Sequence, residues 1–313
     1  MSTSVDNALT SQTNHAKVPP VGDIQQRRQQ ELELIRQVAR HCKTAVLTGP
    51  AAARWLGLST FDWVTRVDLA LPGNSRTWGK QYPDRIYRGG MLRPGEICTH
   101  KGVRTAVAIR AIFDSYRYYG RTEALVQLES ARFQHPHLTV DTLLHKTATL
   151  PRAKGLRGFR ELIAHSGDTS ASALETIARD RILRAIASGQ LTGVETIEFQ
   201  IGFEVLDADG WPTIAWVDVL INGFIIVEAD GAEKTSGAMG DAEEAVNRER
   251  HREKELQNTG AIVRRVGWKQ AQSDALIALL QLCIDAHPGV RQLPTRIDAT
   301  YREWCTNPER RAG

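Results

Sequence analysis

Ile214-Ala215-Trp216-Val217-Asp218-Val219-Leu220-Ile221-Asn222-Gly223-Phe224-Ile225-Ile226-Val227-Glu228-Ala229-Asp230-Gly231 is the stretch whose reading decides the fold. Two apolar runs of strand length flank Asn222-Gly223, a pair that tolerates left-handed backbone and so marks a β-hairpin. Each run is interrupted by one acid, Asp218 in the first and Glu228 in the second. A carboxylate in a buried strand is costly unless it is paired or coordinated, so two of them on adjacent strands point to a shared cation. Hard divalent ions take carboxylate oxygens and keep several waters, which makes Mg²⁺ or Mn²⁺ the expected cofactor. Register decides whether the acids meet. A two-residue loop puts Asp218 and Glu228 on opposite faces of the sheet. A loop of Ile221-Asn222-Gly223, with Gly223 left-handed, puts Asp218, Glu228 and Asp230 on one face, and this register, or a bulge farther up the hairpin with the same effect, is expected.

Working outward, Leu174, Ile177, Ala178, Ile182, Ala185 and Ile186 recur at helical spacing between Ser172 and Gly189. Ser172 and Glu175 form a capping box, which accounts for both residues without chemistry but leaves Glu175 able to cap and ligate at once. Residues 197–205 alternate as a half-buried strand ending at Asp209-Gly210. After the hairpin come a charged helix over 242–258, a strand over 261–266 and an apolar helix over 271–286. The order α-β-β-β-α-β-α describes a mixed sheet flanked by helices over residues 168–288, with 289–313 as a tail. Basic residues concentrate after the acids, making Arg248, Arg252, Arg264, Arg265 and Lys269 candidate phosphate contacts. Interspersed Arg and Glu on the 242–258 helix also fit an ordinary solvated face, and Trp268 can either stack on a base or pack.

Toward the N-terminus, residues 1–25 are polar and aperiodic and read as a flexible lead-in. Residues 26–165 then read as a separate α+β domain: a helix over 26–42, an apolar stretch at 45–47, a short helix from Pro50, strands over 67–71 and 85–88, and helices over 105–119 and 122–133. The Pro- and Gly-bearing segment 134–171 is the expected boundary. Thr48-Gly49-Pro50 lacks the second Gly and the Lys of a phosphate loop. With 313 residues the chain has room for two domains, and 42% apolar and 24% charged residues exclude a wholly disordered or fibrous protein. There is no apolar run of membrane-spanning length and no secretion-signal pattern at the start, so a cytoplasmic protein without membrane contact is expected. Four cysteines lie far apart, which argues against disulfides and structural zinc. The net charge of +4 permits a polyanionic partner without demanding one.

The order of helical Glu, strand Asp and Glu-x-Asp resembles the PD-(D/E)XK nuclease superfamily. More narrowly, Ser172 and Glu175, Asp218, Glu228-Ala229-Asp230-Gly231 and Lys234, followed by Glu249, Arg252, Glu253, Leu256, Gly260 and Arg264, are similar to Vsr-like endonuclease-related domains of unknown function. The resemblance implies a restriction-endonuclease-like α/β fold and a Mg²⁺-dependent endonuclease or nickase acting on DNA. It casts Glu175, Asp218 and Glu228 as metal ligands, Asp230 as support for the metal or its water, and Lys234 as the cation at the attacked phosphate. Asp230 stands where the superfamily has Lys, so Lys234 must reach back, and Thr235 stands where Vsr-type catalysis uses His. In the N-terminal part, Ala45 to Ala53, Leu69 to Gly73, Tyr87-Arg88 and Arg110 to Asp114 look like AbiEi-type antitoxins of type IV toxin-antitoxin systems, with Ala111 where that family has Thr. That likeness implies the alternative function: a nonenzymatic DNA-binding transcriptional regulator that keeps an inactive nuclease fold and has a cognate toxin as partner.

Overall fold

A computed structural model of the chain describes residues 21–71, 81–89, 92–230 and 239–306. In the first half α1 (Val21–His41), β1 (Val46–Leu47), α2 (Gly49–Trp55), β2 (Val67–Ala70) and β3 (Arg85–Arg88) follow the expected pattern, except that α1 begins inside the segment expected as lead-in. The next pair, β4 (Ile97–His100) and β5 (Val103–Ala106), is an unexpected hairpin. Its turn is Lys101-Gly102, both left-handed at φ 48° and 74°, the backbone that a tight two-residue hairpin demands. Helix α3 (Ala108–Tyr119) therefore starts after Thr105, and α4 (Arg121–Gln134) follows across Gly120. The five strands form one mixed sheet in the order β3-β2-β1-β5-β4.

The segment 134–171, where the boundary is expected, is largely helical. It carries α5 (Val140–Lys146) and α6 (Leu156–His165), whose Leu143, Phe159, Leu162 and Ile163 are buried in one core with Phe113 of α3 and Leu125 of α4. Beyond it come α7 (Ala173–Ala187), β6 (Ile197–Leu206), β7 (Pro212–Ile221), β8 (Ile225–Ala229), α8 (Met239–Asn258), β9 (Ile262–Val266), α9 (Trp268–Ala271), α10 (Ala275–Ala286), β10 (Arg296–Thr300) and α11 (Tyr301–Thr306). The second mixed sheet runs β10-β6-β7-β8-β9, with β8 and β9 parallel. Among the described residues the chain is thus a mixed α/β structure with two five-stranded sheets, and no helix is long and apolar enough to cross a membrane. Part of the expected tail is an edge strand. Arg296 clasps Glu198 of β6 through two bonds of 2.7 and 2.8 Å, and Gly202 makes room for Ile297, since a Cβ there would lie 2.5 Å from Ile297 Cδ1.

Pairing of Val219 with Val227, Leu220 with Ile226 and Ile221 with Ile225 makes the β7–β8 loop Asn222-Gly223-Phe224. The loop has the expected odd length but begins one residue later, so the parity that aligns Asp218 with Glu228 is kept. Long-range bonds explain the offset. Asn222 is fully buried; its Oδ1 accepts from the N–H groups of Glu195 and Thr196, and its Nδ2 donates to Gly193 O at 2.8 Å. Gly223 sits at φ +75°, and a Cβ there would lie 2.1 Å from Arg291 O. Gly223→Ala thus meets both left-handed strain and a backbone clash, and a loss of about 3 kcal/mol in urea unfolding is expected. A loss under about 0.5 kcal/mol would mean that the turn re-forms freely.

The halves are joined through α4, α6 and α7. Arg121 grips Asp180 with bonds of 2.6 and 2.7 Å, and His165 Nε2 meets the same carboxylate at 2.7 Å. Burial by itself raises the Asp180 pKa, but His165 and Arg121 outweigh it and hold the group at about 2. A depressed carboxylate stabilises the fold above its unfolded value, and that stability is lost as pH falls from 3.8 toward about 2. Unfolding free energy should fall by about 2 kcal/mol over this window, and Asp180→Asn should remove that slope. An unchanged slope in the variant would assign the pH dependence elsewhere.

Candidate metal centre

Glu175 reaches its place through the start of α7. Ser172 Oγ accepts from Glu175 N–H at 3.2 Å, while Glu175 Oε2 accepts from Ala171 N–H at 2.8 Å. The reciprocal cap fixes both the helix start and the carboxylate, whose residue is only 8% exposed. The approach to this helix is pinned from α4: Glu129, fully buried, accepts from Gly167 N–H, Ser170 Oγ and Arg179 Nη1 at 2.7–2.8 Å.

Asp218 sits where β7 and β8 part, one residue beyond the last paired position, Val219 with Val227. There its Oδ2 accepts from Ala229 N–H at 2.8 Å, so a side chain takes the place of a ladder bond. Gln200, facing this point from β6, is left-handed at φ +53° inside a strand. For a non-glycine residue that backbone is strained, and such strain concentrates at functional sites. Its Nε2 lies 3.4 Å from Glu175 Oε2 and 3.3 Å from Asp218 Oδ1, spanning the two carboxylates. Glu175, Arg179, Gln200, Asp218, Val227 and Ala229 line one small cleft of about 10 Å³, the room needed by a single water-sized body. Nothing in the sequence marks Gln200, which there reads as one more solvent-facing residue of an alternating strand.

Glu228 does not join this pair. It is 4% exposed and bound to Arg252 of α8, whose Nη1 and Nη2 lie 3.3 and 3.2 Å from its oxygens. Arg252 also donates to Glu249 at 2.7 Å and to Trp216 O at 3.0 Å. Burial pulls the Arg252 pKa down, but Glu249 and Glu228 raise it above the ordinary value, so the guanidinium stays charged and answers Glu228. Asp230, half exposed, faces Arg265 at 3.5 Å. Among the described residues no group of three His, Cys, Asp or Glu side chains is arranged to hold a metal. Of the three expected carboxylates, Glu175 and Asp218 come together on Gln200, and Glu228 does not. Lys234 lies outside the described residues.

No protein-family model, curated protein or solved structure matches the chain.

Of the expected phosphate contacts, two are engaged elsewhere. Arg252 serves Glu228 and Glu249, and Arg265 meets Glu249 at 3.0 Å and Glu253 at 2.8 Å as well as Asp230. Arg264 is half-buried and donates to Val263 O. Arg248 and Lys269 are exposed. Trp268 packs against Phe61 at 6.3 Å between ring centres.

Proposed function

We propose that the chain is a divalent-metal-dependent DNA endonuclease or nickase, with a restriction-endonuclease-like second half of PD-(D/E)XK and Vsr-like kind, working on cytoplasmic DNA. One observation carries it: a strained Gln200 spans Glu175 and Asp218 at the point where two strands separate. Two carboxylates beside a space of about 10 Å³ suit a small hard cation. Mg²⁺ commonly takes one or two carboxylates and fills its remaining positions with water and substrate phosphate, so two acids suffice. Glu175 and Asp218 would hold Mg²⁺ or Mn²⁺, which when bound polarises a phosphodiester and makes a water more acidic. Around them, Ala171 N–H and Ala229 N–H fix one oxygen of each carboxylate, and Gln200 sets their spacing. Arg252 holds Glu228 in reserve beside the site, and Asp230 and Lys234 follow on the same segment as supporting groups. Exposed Arg248 and Lys269 supply the phosphate contacts.

A nonenzymatic DNA-binding regulator of AbiEi antitoxin type, with a toxin protein as partner, is favoured by a different observation, the neutralisation of Glu228 by Arg252. Supercoiled plasmid incubated with the full chain separates the two. Nicking or linearisation that needs Mg²⁺ or Mn²⁺ and stops with EDTA supports the nuclease. DNA binding that is metal-independent and salt-sensitive, with no cleavage under any metal, supports the regulator.

A further inference from the structure

The residues of α7 that face away from Glu175 line a second cleft. Thr176, Ile177, Asp180, Arg181 and Arg184 fall on one side of the helix by their spacing, and the cleft they share with Phe61 and Leu125 has a volume of about 230 Å³. An apolar floor with a few convergent polar groups is the make-up of a small-molecule site, and this space admits one substituted aromatic ring rather than a larger ligand.

The charges at its rim select the ligand's sign. Asp180 is answered internally, Oδ1 by His165 and Arg121 Nη2 and Oδ2 by Arg121 Nη1. Arg181 meets Asp274 at 2.5 Å, but that carboxylate is fully exposed and counts for little. Arg181 Nε is buried and has no acceptor among the described residues, so its positive charge is only partly answered. Arg184 is 67% exposed and stands 3.8 Å from the already occupied Asp180. The rim is therefore net cationic.

We propose that this cleft binds a small organic anion, with its apolar body against Phe61, Leu125 and Ile177 and its carboxylate or phosphate group against Arg181 and Arg184. The site is independent of the metal centre. Thermal unfolding and calorimetric titration of the full chain with benzoate, phenyl phosphate, benzamidine and inorganic phosphate, each to about 10 mM, test it. At least one of the two organic anions should bind and raise Tm, and benzamidine should not. Arg181→Gln with Arg184→Gln should weaken that binding about tenfold or more, and Asp218→Asn should leave it unchanged. Arg184→Gln alone, at an exposed position, serves if the double variant does not fold, with a weakening of about threefold or more expected. The proposal is overturned if neither organic anion binds, if benzamidine or inorganic phosphate binds as well as they do, or if a folded arginine variant binds as tightly as the native chain.

Discussion

Asp218→Asn is expected to lower metal-dependent DNA cleavage by about 100-fold or more while the protein stays folded. Asparagine keeps an oxygen in the place of Oδ2, so the bond from Ala229 N–H, now 2.8 Å, can persist. It removes the negative charge that a hard cation requires. The cost in stability should stay near 1 kcal/mol, the net worth of an altered hydrogen bond, which separates loss of chemistry from loss of fold. Asp218→Ala is the poorer test, since it also leaves Ala229 N–H without its acceptor. Plasmid-cleavage rates of the native chain and the variant under saturating Mn²⁺ and Mg²⁺ check the expectation. Equal rates would remove Asp218 from the metal centre.

The largest loss of stability is expected from Glu129→Ala, about 3–5 kcal/mol. This carboxylate is fully buried and accepts from Gly167 N–H, Ser170 Oγ and Arg179 Nη1. Its removal takes the carboxylate partner from the half-buried Arg179, which keeps only His165 O, and leaves two further donors without their acceptor. The same bonds fix the segment that leads into α7, so Glu175 should lose its position before the chain as a whole unfolds. Urea unfolding gives the global figure, and hydrogen exchange at Gly167 and Ala171 reports the local one. A loss below about 1 kcal/mol would mean that α4 does not anchor the site.

Much of the second half was legible because its signals are local. The α7 start follows from Ser172 and Glu175, which cap each other as their spacing demands, and the β6, β7 and β8 strands follow from alternation and from Asn222-Gly223. What escaped depends on distant partners. Asn222 is drawn into the loop by Gly193, Glu195 and Thr196, residues that no turn preference names. Edge strand β10 is short and half polar, and it is recruited by Glu198 and by the space over Gly202. The β4–β5 hairpin did carry a signal in Lys101-Gly102, though its flanking residues look like the lead-in to a helix.

The candidate site was legible in composition but not in assembly. Glu175 and Asp218 converge as their positions suggest, yet parity alone does not bring Glu228 to them. Register aligns Glu228 with Asp218, but the ladder ends at Val219 and Val227, and the rotation of α8 delivers Arg252 to Glu228. Interspersed charges on α8 suggested a solvated face; in the structure Arg252 turns inward to β7 and β8, and Glu249 meets Arg265 of β9. Gln200 shows the other limit, since a left-handed residue within an alternating strand leaves no trace in residue type.

Direct titration of Mn²⁺ into the native chain and into Glu175→Gln and Asp218→Asn, followed by electron paramagnetic resonance of the free ion, tests the metal centre with no assumption about substrate. One bound Mn²⁺ per chain is expected, with affinity falling about tenfold or more in each variant. Binding that is equally tight in both variants, or absent from the native chain at millimolar metal, would contradict the assignment of Glu175 and Asp218 as its ligands.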